Sequence, residues 1–158
     1  MSRRDFMRRA IELSRQGVTA GDGGPFGSVI VKGDRIVGEG WNRVPRDNDP
    51  TAHAEVVAMR DAGRRLGTFD LSGCELYVNG APCAMCLASS LWARIERMYY
   101  VLGYEDSATI GLDDKHIYAE VARPMGERKF PLIQMPELAE EARVVYRAWK
   151  EKPDKIEF

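Results

Sequence analysis

His53-Ala54-Glu55, followed downstream by Pro82-Cys83-Ala84-Met85-Cys86, is the part of the chain from which both fold and chemistry are read. One imidazole and two thiolates make three ligands for Zn²⁺. The ion takes four, so one position stays open for water. Zinc lowers the pKa of such a water from about 15.7 to about 7, which makes hydroxide available at neutral pH. Hydroxide of this kind can attack an electrophilic carbon, such as an amidine-like ring carbon that carries an amino group. The amine leaves only once it is protonated, and Glu55, two residues from His53, is placed to move protons as a general acid and base.

The flanking residues support a shared site. Pro82 is favoured near a helix start, and Cys83 opens a helical run to Ala93. His53 opens another, from about Ala52 to Leu66. Two helix N-termini then approach the metal, and their partial positive charge favours thiolate over thiol. The spacing sets a geometric condition. Residues i and i+2 of a regular helix lie about 200° apart, so His53 and Glu55 meet at one ion only if His53 sits at the helix mouth. A Cys-x-x-Cys pair alone also fits structural zinc or redox chemistry. A closed structural site wants a fourth Cys or His, for which only Cys74 and His116 remain. Cys74 reads as a small apolar strand residue and His116 as a surface residue.

At 158 residues the chain is long enough for one domain with a full core, and the domain is expected to span 1–158. Charged residues make up 30% and the net charge is −1, with a pI of about 6.2. A dedicated nucleic-acid binder is usually more basic, so a polynucleotide partner is disfavoured. No apolar run reaches membrane length. The N-terminus lacks the apolar core of a signal peptide, and the thiols suit a reducing compartment, so a cytoplasmic location is expected.

Ser2 with Asp5 forms a helix start, and apolar residues recur at helical spacing up to Gly17, a stop signal. Gly21 to Gly27 is a Gly-rich loop without the Lys-Ser/Thr ending of a phosphate loop. Ser28–Lys32 and Arg35–Trp41 read as a hairpin about Gly33-Asp34. Strands are expected at Cys74–Asn79, Arg97–Leu102 and Pro131–Met135, and further helices at about Asp114–Val121 and Glu137–Lys150. This order gives an α/β fold, a three-layer α/β/α sandwich on a mixed five-stranded sheet, antiparallel in the hairpin and parallel later.

With Gly24-Pro25-Phe26-Gly27, Asn42, Asp49-Pro50-Thr51-Ala52-His53-Ala54-Glu55 and Pro-Cys-x-x-Cys all present, the chain resembles the cytidine deaminase-like zinc deaminases. More narrowly it is similar to the bacterial guanine deaminases of that fold, with guanosine deaminases as relatives. The narrower likeness rests on Asp47 to Thr51, Ile110-Gly111-Leu112-Asp113-Asp114 and the aromatic C-terminus. The resemblance implies one Zn²⁺ per chain on His53, Cys83 and Cys86, with Glu55 and Asp114 catalytic. It implies a substrate site of Phe26 stacked on a purine, Asn42 bonded to the base, Ala54, and Phe158. It further implies a homodimer whose tail, about 150–158, crosses to close the neighbour's pocket. Read from the residues alone, Phe26 is equally a core aromatic, Asn42 a turn cap, Asp113 and Asp114 helix caps, and the tail a free end.

The resemblance implies hydrolytic deamination of a purine base or nucleoside, guanine to xanthine or guanosine to xanthosine. Cytosine, cytidine or adenine deamination, tRNA adenosine deamination and a non-catalytic zinc domain are the alternatives. Gly80-Ala81 stands where such guanine deaminases carry Cys-Glu, and Phe158 where they end in Tyr, which leaves base against nucleoside open.

Overall fold

In the computed structural model, which describes residues 1–158, Ser2 caps helix α1 (Arg3–Ala20) in a reciprocal arrangement with Asp5. The expected stop at Gly17 is overturned, and the helix runs on to the left-handed Gly21. Gly17 is a packing residue: a Cβ there would lie 2.5 Å from Cδ1 of Trp41, whose indole rests on the helix. Strands β1 (Gly27–Lys32) and β2 (Arg35–Trp41) form the expected antiparallel hairpin. There follow α2 (Val44–Asp47), α3 (Ala54–Leu66), β3 (Cys74–Gly80), α4 (Ala84–Trp92), β4 (Arg97–Leu102), α5 (Tyr104–Thr109), α6 (Lys115–Val121) and α7 (Ala139–Glu151). Short 3₁₀ turns cover Met125–Glu127 and Pro136–Leu138.

The sheet order is β2-β1-β3-β4. β3 pairs antiparallel with β1 and parallel with β4, so the sheet is mixed. It has four strands rather than five. Pro131–Met135 enters no ladder, its proline offers no backbone donor, and Ile133 is 83% exposed. The apolar run that suggests a strand therefore finds no edge to extend.

Alternation along the central strands sorts the core into two layers, as a two-residue period requires. Val29, Val31 and Tyr77 pack with Phe6 and Leu13 of α1. Ile30, Leu76 and Val78 pack with Ala58, Met59 and Ala62 of α3. These are the two helical faces of the sandwich, and small alanines at 54, 58 and 62 let α3 lie close to the sheet. Contacts divide the chain into Met1–Tyr118 and Ala119–Phe158, a boundary that no linker composition marks in the sequence. No helix is long and apolar enough to cross a membrane.

Candidate metal centre and active site

His53 is the residue before α3, with extended backbone (φ −68°, ψ 155°), and Glu55 is in the first turn. The geometric condition set by the sequence is met, since a side chain at the N-cap is not bound to the helical rotation of those that follow. An Asx-type turn delivers His53 there. Asp49 Oδ1 accepts from the Thr51 amide at 2.8 Å and from its hydroxyl at 2.7 Å, while Arg43 N donates to Ala52 O at 2.9 Å. Cys83 is likewise the N-cap of α4, in the same extended conformation (φ −74°, ψ 169°), and its sulfur accepts from Cys86 N. Both helices thus open onto one point.

His53 Nδ1 lies 3.5 Å from Cys83 Sγ and 3.5 Å from Cys86 Sγ. A tetrahedral Zn²⁺ with ordinary bonds to sulfur and nitrogen holds those atoms about 3.6 Å apart, so the donor set fits the ion without rearrangement. His53, Cys83 and Cys86 are the one group of three such side chains close enough to hold a metal. Cys74 is buried in the core and its thiol is pushed up by desolvation, and His116 is exposed on α6.

Electrostatics match this assignment. The Cys83 thiol is pushed down to about 4, first by the hydrogen bond from the Cys86 thiol, with His53 and the Cys86 amide adding to it against burial. Cys86 is pushed up by its bond to Cys83 and by burial, and His53 is held above its ordinary value, first by Cys83. The pair therefore shares a proton that a metal displaces on binding. Glu55 is buried, and desolvation raises its carboxyl above the usual range. A raised carboxyl holds its proton more readily than a free one, which suits a group that must take up and release protons.

One cavity of about 270 Å³ collects these groups, lined by His53, Glu55 and Cys83 together with Phe26, Asn42 and Asp114. Phe26 is half-buried on the cavity wall rather than in the core. Its loop is tied down by Asn79, whose Oδ1 accepts from Gly27 N and whose Nδ2 donates to Pro25 O, both at 2.8 Å. Asn42 is buried, and its Oδ1 accepts from the amides of Gly24 and Val44, while its NH₂ makes no hydrogen bond to the protein. Asn42 is thus a turn cap and a cavity residue at once. Asp113, rather than Asp114, spends its carboxylate on the α6 backbone, accepting from Lys115 N at 3.0 Å. Burial raises the Asp114 carboxyl. Ala54 is fully buried against the sheet and does not line the cavity, and Phe158 is 73% exposed in the second unit.

Four residues of this region have no signal in the motifs. Tyr118 donates to Pro82 O at 2.7 Å and Tyr104 to the same carbonyl at 3.3 Å, so an edge-to-face tyrosine pair holds the residue before Cys83. Ser107 of α5 lines the cavity, and Asn79 carries the Phe26 loop. A buried asparagine within a strand is the one of these that the sequence flags, because such a side chain must find partners.

Residues 1–102 match the model of the cytidine and deoxycytidylate deaminase zinc-binding region. The chain belongs to that deaminase family. It is 43% identical to the guanine deaminase of Bacillus subtilis (strain 168) over 158 residues, the whole of both chains. The X-ray structure of guanine deaminase from Bacillus subtilis superimposes with a TM-score of 0.90 at 42% identity, covering 100% of this chain and 99% of that one. The tRNA-specific adenosine deaminase of Buchnera aphidicola is 42% identical over 82 residues, 52% of this chain and 54% of that protein. The family membership makes the protein a zinc-dependent deaminase, with one Zn²⁺ matching the His53, Cys83 and Cys86 donor set.

Proposed function

We propose that the protein hydrolyses guanine to xanthine and ammonia. The observation that carries this reading is that one cavity joins the three-ligand cluster, the buried acid Glu55, the aromatic Phe26 and the oriented amide of Asn42. The full-length likeness to a guanine deaminase supports it over tRNA adenosine deamination, where the likeness covers 52% to 66% of the chain.

His53, Cys83 and Cys86 would hold the Zn²⁺, which would supply the Lewis acidity that makes hydroxide available near neutral pH. Phe26 offers a flat face for the purine, and the Asn42 NH₂ donates to an acceptor on the base. Glu55 takes one proton from the attacking water and gives it to the ring nitrogen, then takes a second from the hydroxyl added at C2 and gives it to the departing amine. The carbon–oxygen bond forms at C2 first; the carbon–nitrogen bond then breaks as the C2 carbonyl forms, and the amine leaves as ammonia with the second proton. Asp114, with its carboxyl raised by burial, contacts the polar edge of the ring and relays protons there. Closing the cavity would exclude bulk water and strengthen each of these interactions.

The working form is a homodimer in the cytoplasm, with the tail about 150–158 of one chain closing the cavity of its partner. Supporting this are a tail that ends Ile156-Glu157-Phe158 with both apolar residues exposed, and the exposed apolar residues Leu91, Trp92, Tyr100, Val101 and Leu102 of the first unit. Three free cysteines suit a reducing compartment.

The test is ammonia release from guanine, guanosine, adenine, cytosine, cytidine and a tRNA transcript. Turnover of guanine well above the others upholds the reading. Turnover confined to cytosine or cytidine, or no turnover by zinc-loaded protein, overturns it.

A further inference from the structure

Most polar groups around the cavity are already committed to the protein. Asn42 Oδ1 is held by two amides, Asp113 by the α6 backbone, and the Tyr104 hydroxyl by Pro82 O. On α5 itself, Thr109 Oγ1 is tied back to the carbonyl of Asp106. Ser107 differs. It lines the same cavity, and its hydroxyl makes no hydrogen bond to the protein. Its location is defined by Gly80 at the end of β3. A Cβ on Gly80 would stand 4.0 Å from Ser107 Oγ, 2.8 Å from Cε1 of Phe26 and 3.1 Å from Cδ1. The backbone at 80, the edge of the Phe26 ring and the Ser107 hydroxyl therefore meet at one end of the cavity. A side chain at 80 would push between them.

We propose that Ser107 is a substrate-contacting residue that sets specificity, its hydroxyl hydrogen-bonding the polar edge of the purine ring that lies on Phe26. The inference rests on the reading of the cavity as a purine deaminase site. A hydroxyl that neither caps nor bridges protein groups is a free donor and acceptor, and it matches a ring edge bearing either. Because it is spent on nothing in the protein, its removal costs the fold little. Because Glu55 and the metal ligands do the chemistry, its removal weakens binding alone.

The test compares Ser107→Ala and Ser107→Thr with wild type on the purine base that wild type turns over best. Losing one neutral hydrogen bond raises KM about 2- to 10-fold in the alanine variant, with kcat, zinc content and Tm unchanged. Threonine, which keeps the hydroxyl, recovers most of the loss. Unchanged KM, a KM effect confined to nucleosides, or a fall in Tm matching the kinetic loss overturns the proposal while leaving the deaminase reading intact. If wild type turns over no purine, the reading of the site fails first and the proposal falls with it.

Discussion

Met1–Tyr118 buries a two-layer core, whereas Ala119–Phe158 contains no fully buried residue. In the first unit, Tyr77, Leu13, Ile30 and Leu76 lose essentially all contact with water. In the second, α7 leaves Val145 66% and Tyr146 77% exposed. At about 25 cal/mol per Å² of apolar surface, the first unit draws its stability from its own sequence. The second unit's apolar side chains are at best partly covered, Trp149 remaining 43% and Leu138 46% exposed. The catalytic groups all belong to the unit that is self-sufficient, and the residues for which no local partner exists belong to the one that is not.

The sharpest break in this contrast comes from the metal cluster. Cys86→Ala should drop zinc from about one per chain to near none and abolish turnover, checked by elemental analysis of the purified variant. Full retention of zinc removes the assignment. Next comes Glu55→Gln, which keeps shape and metal but not the proton; kcat should fall at least about 10²-fold with Tm unchanged. Near-normal turnover in this variant ends the proton-transfer role.

The second unit gives a smaller but more informative effect. Truncation after Lys152 should leave zinc content and the main melting transition intact while lowering kcat/KM about tenfold. Burying one Phe stabilises docking by about 1.5–3 kcal/mol, reduced by the cost of ordering the tail, and about 1.4 kcal/mol is a factor of ten. Unchanged kinetics would show that the tail closes nothing.

The smallest effect is in acid. Asp5, Asp22, Asp49 and Asp70 of the first unit sit below 3.8, held there chiefly by the Ser2 backbone, the Trp41 indole, the Thr51 hydroxyl and the Ser72 hydroxyl respectively. Their contribution is fully present above the unfolded value of 3.8 and is lost as pH falls through the lower folded values. Melting should therefore be insensitive to these groups from neutral pH down to about 5 and drop below about 4. Asp22→Asn should flatten that acid limb in a Tm series.

Those residues also show what the sequence reveals. The Ser2 and Asp5 capping pair, the Gly33 hairpin and the two N-terminal caps at His53 and Cys83 are local signals, and each stands where it was expected. Where tertiary packing overrides local preference, the sequence misleads or is silent. Gly17 reads as a stop because glycine usually ends helices, yet Trp41 occupies the space a side chain would need. Pro131–Met135 has strand composition but no neighbour. At six residues, α5 is too short to show a period, so Tyr104 and Ser107 were not visible as cavity residues. The structure brings His53, Glu55, Cys83, Phe26, Asn42 and Asp114 to one cavity, with Cys86 3.5 Å from His53 Nδ1; the paired motifs encode the ligand spacing, whereas Phe26, Asn42 and Asp114 carry no such local signal. Ala54 does not reach the cavity, because its position in the first turn of α3 turns it into the sheet.

The Trp41 contact with Gly17 has a bearing on how substrate preference drifts. Trp41 Nε1 donates to Asp22 at 2.8 Å, and the next residue, Asn42, donates its amide to Phe26 O at 2.9 Å. A methyl group added at Gly17 should displace the indole and, through the Trp41–Asn42 backbone and the Asn42 N to Phe26 O hydrogen bond, shift the Phe26 ring on the cavity wall. If Phe26 carries the base as proposed, selectivity should be adjustable from behind, through a position outside the cavity lining. A Gly17→Ala enzyme whose relative turnover of guanine and guanosine matched wild type would show the platform to be insulated from that contact.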